Sequence, residues 1–161
     1  MKFIRSQKSD DGARIFIFMI SQRDKALLLS VLKMFPLVDA RSHRLSRHPS
    51  PETRASQPLL LEAMEQQRLD HSKKIGRLLK NEGRFFRELE DSYQFAVNGE
   101  QLEWLLQALN DVRVGSWTKL GCPEMQAVRK LVLNEKTAVH VTAMELSGYF
   151  QNAFLAAFQE D

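Results

Sequence analysis

Residues Asn98 to Gly121, NGEQLEWLLQALNDVRVGSWTKLG, carry a helix start signal, a continuous apolar stripe and a stop signal that agree with one another. Asn98 is a favourable N-cap. Gln101 stands at the third helical position, where its side chain closes a capping box, and Val97 is placed to touch Leu102 as a hydrophobic staple. At about 100° per residue, Leu102, Leu105, Leu106, Leu109, Val112, Trp117 and Leu120 fall on one broad face. Gly121 supplies a positive-φ stop, and Pro123 prevents continuation. On roughly the opposite side lie Trp104, Ala108, Asp111 and Gly115, where the small Ala108 and Gly115 let another backbone come near. Such a helix, spanning 99–120, belongs between other elements, with the rest of the chain around it.

Downstream, Met125, Val128, Leu131 and Val132 predict a helix over 124–134, and the β-branched run Thr137 to Thr142 suits a connection. Thr142 with Glu145 forms another capping box, which predicts a final helix over 143–159. Its face would carry Leu146, Tyr149, Phe150, Ala153, Phe154 and Ala157 as core packing. Upstream, Tyr93, Phe95 and Val97 alternate like an extended stretch that could add a third strand, and Phe85, Phe86 and Leu89 anchor a short segment before it. Pro58 suits the first turn of a helix over 58–81 whose stripe is Leu61, Met64, Arg68, His71, Ile75 and Leu78. Residues 41–57 hold one large aliphatic side chain, Leu45, and two prolines, which predicts a long loop. At the N-terminus, Lys2 to Gln7 and Ala13 to Ile20 flank turn chemistry ending in Asp11-Gly12. This predicts a β-hairpin over 2–20, followed by a helix over 22–36 capped by Ser21.

The chain has 161 residues, 43% apolar and 27% charged, which suits one globular domain over 1–161. The expected architecture is mainly α, a single-domain bundle of about five helices with an N-terminal β-hairpin. A formal charge of +3 is a weak pointer to an acidic partner. One cysteine, Cys122, permits no internal disulfide and is consistent with a reducing compartment. Charged residues are scattered through the first twenty positions, so no secretory core is expected. No window approaches the apolar length of a membrane span, and a soluble cytoplasmic protein with no membrane contact is the expectation.

Two sets of cations stand out. Arg113 falls near the middle of the stripe from Leu102 to Leu120, where a buried guanidinium needs a carboxylate or several carbonyls to answer it. Arg68 and His71 sit in the centre of the apolar stripe of the second helix. If the two helices pack together, Arg68, His71, Asn110 and Arg113 would converge on a cationic ligand pocket, the alternative being structural ion pairs that fix helix register. In the loop, Arg41, Arg44, Arg47 and Arg54 form a concentrated basic patch, either solvated or touching phosphates or an acidic protein. His43, His48, His71 and Cys122 are scattered without a metal-ligand spacing, so no metal is expected. Cys122 lies at a helix end, where a thiolate is not favoured, and no glycine-rich phosphate loop is present. No catalytic residue and no cofactor are expected; an enzyme using the Arg68, His71, Asn110 and Arg113 cluster stands third among the readings, since the cluster supplies only cations and an amide.

Leu109-Asn110-Asp111-Val112-Arg113, followed by Leu120-Gly121 and preceded by Trp104-Leu105, resembles the bacterial family called domain of unknown function 2017, best known from actinobacteria. That family has a Leu-Asn-Asp-x-Arg run leading into Gly-Thr-Arg-Leu-Gly. Here Trp117 stands at the place of the family glycine and Lys119 at that of its arginine. The likeness extends over the strand pair, the leucine-rich first helix, the basic loop, the long second helix and the aromatic final helix. It implies a mostly helical domain and brings no activity. Family members tend to neighbour an adaptor of the Clp protease, which implies an adaptor or regulatory role. The expected function is therefore protein binding or regulation, through a protein partner or a homodimer. The alternative is a nucleic-acid or anionic-ligand binder that uses the loop 41–54 or the Arg68, His71 and Arg113 pocket.

Overall fold

Two strands remote from one another in sequence form the middle of a four-stranded antiparallel sheet. The computed structural model describes residues 1–9, 12–38, 50–80, 85–89, 91–124 and 134–158. In chain order the elements are β1 (Lys2–Lys8), β2 (Arg14–Ser21), α1 (Gln22–Leu32), α2 (Pro51–Lys80), β3 (Phe85–Leu89), β4 (Ser92–Asn98), α3 (Gly99–Lys119) and α4 (Glu135–Leu155), with a 3-10 turn at Ala156–Phe158. The described residues thus form four α-helices, and the chain is mainly helical with an N-terminal antiparallel strand pair. That pair is half of a larger sheet, since β4 runs along β2 with Ile15 opposite Asn98 and Ser21 opposite Ser92, and β3 adds an outer edge.

The alternation of β2 explains how the layers stack. Phe16, Phe18 and Ile20 point to the helical side and are buried, as are Phe95 and Val97 of β4. Phe154 of α4 meets Phe18 edge-on at 5.1 Å between ring centroids, and Phe85 stacks on Phe95 at 4.8 Å. The second face is only half covered, with Ile17 buried but Met19 and Phe86 exposed. α1, α3 and α4 fill the helical layer through Leu28, Val31, Leu102, Leu105, Leu109, Val112 and Phe150.

α3 follows its sequence signals closely. Asn98 Oδ1 accepts from the Gln101 amide at 2.9 Å, and Gln101 Oε1 accepts from the Asn98 amide at 3.1 Å, completing the capping box. At the other end the Gly121 amide donates to Thr118 O and the Cys122 amide to Trp117 O, both at 3.0 Å. With Gly121 at φ 82° this is a Schellman stop.

Other boundaries move. α2 begins at Pro51, not at 58, so residues 51–57 of the expected loop are helical and Pro58 lies inside the helix. Ser50-Pro51 repeats the start chemistry seven residues earlier, and Glu52, Arg54, Ala55 and Gln57 are adequate helix formers. The missing Pro58 amide therefore costs one bond, not the helix. Residues 41–49 of that loop lie outside the described residues, as does 125–133 of the helix expected over 124–134. α4 starts at Glu135 because Asn134 and Thr137 form a capping box ahead of the one expected at Thr142. The β-branched run Thr137 to Thr142 is helical, its weak propensity offset by the cap ahead of it and by continuity with the buried face that begins at Ala143 and runs through Ser147, Phe150 and Phe154. α1 ends at Leu32, four residues short of 36, and the chain turns through Lys33 to Phe35.

That turn delivers residues 36–38 into the gap between α2 and α3. Leu37 packs over Gly115 so closely that a Cβ there would stand 2.8 Å from Leu37 Cγ and 3.0 Å from its carbonyl carbon. The small residue expected to admit another backbone does so.

Candidate site on the α3 and α4 face

The charges on α3 divide between two sides. Asp111 Oδ1 accepts the Leu37 amide at 2.6 Å and the Val38 amide at 3.0 Å, and Asp111 Oδ2 lies 3.6 Å from the Arg68 guanidinium. Arg68 Nη1 donates to Val38 O at 2.6 Å. One carboxylate and one guanidinium thus clasp the 37–38 backbone between α2 and α3. This part-buried arrangement answers the charge that the sequence raises at Arg68, and its role is structural.

Arg113 departs from expectation. It is exposed, and it makes no ion pair among the described residues. The buried residues of α3 are Leu102, Leu105, Ala108, Leu109, Val112, Gly115 and Ser116. Including the small ones turns the buried arc roughly 60° away from the leucine stripe, which leaves Arg113 and Trp117 at its edge. Asp111 and Arg113 project about 160° apart around the helix, so Arg113 takes no part in the Arg68 clasp. Asn110 is exposed, and His71 is half-buried with no hydrogen bond among the described residues. A single cationic pocket of Arg68, His71, Asn110 and Arg113 is therefore not formed. Of the basic loop, Arg41, Arg44 and Arg47 lie outside the described residues. Arg54 falls on α2, its side chain likewise outside them.

What Arg113 does line is a 220 Å³ hollow with Val114 and Trp117 of α3 and Met144 of α4. Trp117 is 41% exposed and Val114 39%. The indole is held in place at its polar end, where Nε1 donates to Pro123 O at 3.0 Å across the Schellman turn. The hollow therefore presents a guanidinium beside a fixed aromatic and two aliphatic side chains, a combination suited to a carboxylate with an apolar group next to it. On the other flank of α4 an open 390 Å³ groove runs between Val31 and Met34 of α1 and Val139, Ala143 and Leu146. Trp117 is placed in the core stripe by its periodicity, and Val114 and Met144 carry no sequence signal. The available clue was the spacing, since Arg113, Val114 and Trp117 are neighbours at one edge of the helix surface.

The electrostatics elsewhere are local. The Met1 ammonium donates to Asp24 Oδ2 at 2.7 Å and to the Tyr149 hydroxyl, which itself donates to Asp24 at 3.4 Å. Burial tends to raise Asp24, but the ammonium, together with hydrogen bonds from Ser21 and Tyr149, outweighs it and holds the carboxyl below its usual range. Tyr149 is raised, by burial and by the neighbouring Asp24 charge. Among the described residues no group of three His, Cys, Asp or Glu side chains gathers where a metal ion could be held, and no helix is long and apolar enough to cross a membrane. No protein-family model, curated protein or solved structure matches this chain.

Proposed function

We propose that the chain is a cytoplasmic protein-binding module of the adaptor or regulatory kind, a distant relative of domain of unknown function 2017. Its docking site would be the Arg113, Val114, Trp117 and Met144 hollow. The partner is a segment carrying a carboxylate next to an apolar side chain. The observation that carries this reading is Arg113, an exposed guanidinium with no carboxylate of its own among the described residues, lining the same hollow as an anchored, half-exposed indole. A charge-assisted pair at the rim gives orientation, and the apolar floor gives burial. Aromatic and arginine anchors of this kind commonly dominate binding energy at interfaces.

Selection of short random peptides against the intact protein tests it, with the binding of selected peptides to wild type, Arg113→Glu and Trp117→Ala then compared by isothermal titration calorimetry. Selected peptides should share an Asp or Glu beside a large apolar residue and lose about tenfold or more in affinity for either variant, roughly 1.4 kcal/mol. Peptides that bind all three proteins equally would refute the site. The alternative, an anion or nucleic-acid binder using the basic patch of Arg41, Arg44, Arg47 and Arg54, would announce itself as oligonucleotide binding that collapses with added salt and ignores Arg113→Glu.

A further inference from the structure

α2 has 30 residues, about 45 Å at the α-helical rise. Its inner side is engaged. Ile75 and Leu78 are buried, Arg68 is clasped by Asp111 and Val38, and the Lys74 ammonium lies 4.5 Å from the centre of the Trp104 ring. Its outer side carries Leu59, Glu62, Gln66, Leu69, Lys73 and Arg77, with Leu59 69% exposed and Leu69 54% exposed. The charges on this helix are sorted along its length. Before Leu69, with Arg68 turned inward, Glu52, Glu62 and Glu65 outnumber Arg54; after it come Lys73, Lys74, Arg77 and Lys80 against a single acid, Asp70, whose carboxylate lies 3.7 Å from the Lys73 ammonium at the exposed surface.

A helix whose first half is acidic and second half basic is complementary to itself when reversed. We propose that the outer face of α2 is the contact between two copies of this chain, the two helices running antiparallel about a two-fold axis at Leu69. In that register Glu62 faces Arg77 of the second copy, Glu65 faces Lys73, and Leu69 meets its own counterpart. Two-fold symmetry forms each pairing twice and closes the assembly. Leu59 lies along the aliphatic stem of Lys80, which can shelter apolar surface while its ammonium stays in water. A parallel pairing would set glutamate against glutamate and lysine against lysine, so the charges select the direction as well as the partner. The contact, from Leu59 to Lys80, is about 33 Å long and sits at the small end of specific interfaces, the class of weak, reversible association with a dissociation constant in the micromolar range. It uses none of the residues around Arg113, so it stands or falls independently of the docking site.

Sedimentation equilibrium of the full chain at low salt tests it, comparing wild type, E62K/E65K, K73E/R77E and an equimolar mixture of the two variants. Wild type should associate reversibly, and each variant alone should dimerise about tenfold or more weakly because like charges now meet. The mixture should return to within about threefold of wild type, since each reversed half finds its complement in the other chain. A wild type that stays monomeric up to about 500 μM would overturn the proposal, well above the expected constant. So would a dimer indifferent to both variants, or a mixture that fails to recover. Should either variant lose its helical circular dichroism, Leu69→Glu decides alone, with dimerisation abolished if the axis is right and unchanged if it is wrong.

Discussion

α3 and α2 carry apolar residues at the same three-and-four spacing, yet they live in different surroundings. α3 buries Leu102, Leu105, Leu109 and Val112 and also the small Ala108, Gly115 and Ser116, so it is enclosed by the sheet, by α4 and by the 36–38 turn. Among its described side chains α2 buries only Ile75 and Leu78, although it is the longer helix by nine residues, 30 against 21. The spacing of large apolar residues says that a helix has an inner face. What the second side offers says whether the helix is central. On α3 that side holds Ala108 and Gly115, which admit neighbours; on α2 it is Glu62, Gln66, Lys73 and Arg77, which keep water.

The contrast is broken most forcefully by paired truncations. Leu105→Ala should lower the unfolding free energy by about 3–4 kcal/mol, because the side chain is fully buried and its cavity cannot collapse. Leu59→Ala on the outer side of α2 should change it by less than about 0.5 kcal/mol, and urea melts of both variants would show whether the gap exists.

A sharper probe is Asp111→Ala, which removes the acceptor shared by Leu37, Val38 and Arg68. A loss of about 3 kcal/mol is expected, because a part-buried guanidinium and two amides are left unanswered. Hydrogen exchange should then quicken across α2 well before α3, since α2 loses its main polar attachment. Equal acceleration in both would make α2 as central as α3.

A small effect is expected at the half-buried contact of Asp24. The folded-state pKa of Asp24 is lowered, so its contribution to stability is present above the unfolded value near 3.9 and fades as pH falls through the folded value. Asp24→Asn should cost less than about 1 kcal/mol at neutral pH. Melting temperatures of variant and wild type should converge below about pH 4.

How far the fold was legible follows the same division. The α3 boundaries were written in Asn98, Gln101 and Gly121, where side chains satisfy backbone groups that a helix end leaves open, and such chemistry is local. The hairpin was equally local. The start of α4 is less legible, because Thr142 with Glu145 has the pattern of a capping box while Asn134 with Thr137 forms one, and the two patterns are equally local. Pro58 suits a helix start, but it lies inside α2, where a proline costs one bond that a long helix absorbs. At the site, Arg113 is exposed where the leucine stripe predicts burial. Periodicity counts leucines, but the buried arc of α3 is set equally by Ala108, Gly115 and Ser116, which no apolar stripe reveals. Which cation Asp111 would hold depended on the 36–38 turn, whose route is fixed by packing against Gly115 and not by any motif of its own.

The order of the strands has a temporal consequence. β2 and β4 lie side by side in the sheet, yet α1, α2 and β3 intervene in the chain, and the excursion is closed where the Gln22 amide donates to Asp91 O at 3.0 Å. Folding must bring these distant ends together before the Phe18, Phe95 and Phe154 cluster can form. The ends of α3 can organise early through local capping, whereas the sheet waits on a long-range encounter. Because the entropy of closing a loop grows only slowly with its length, extra turns inserted in the outer part of α2 would delay that encounter very little. The middle of the chain is therefore the place where this fold tolerates growth.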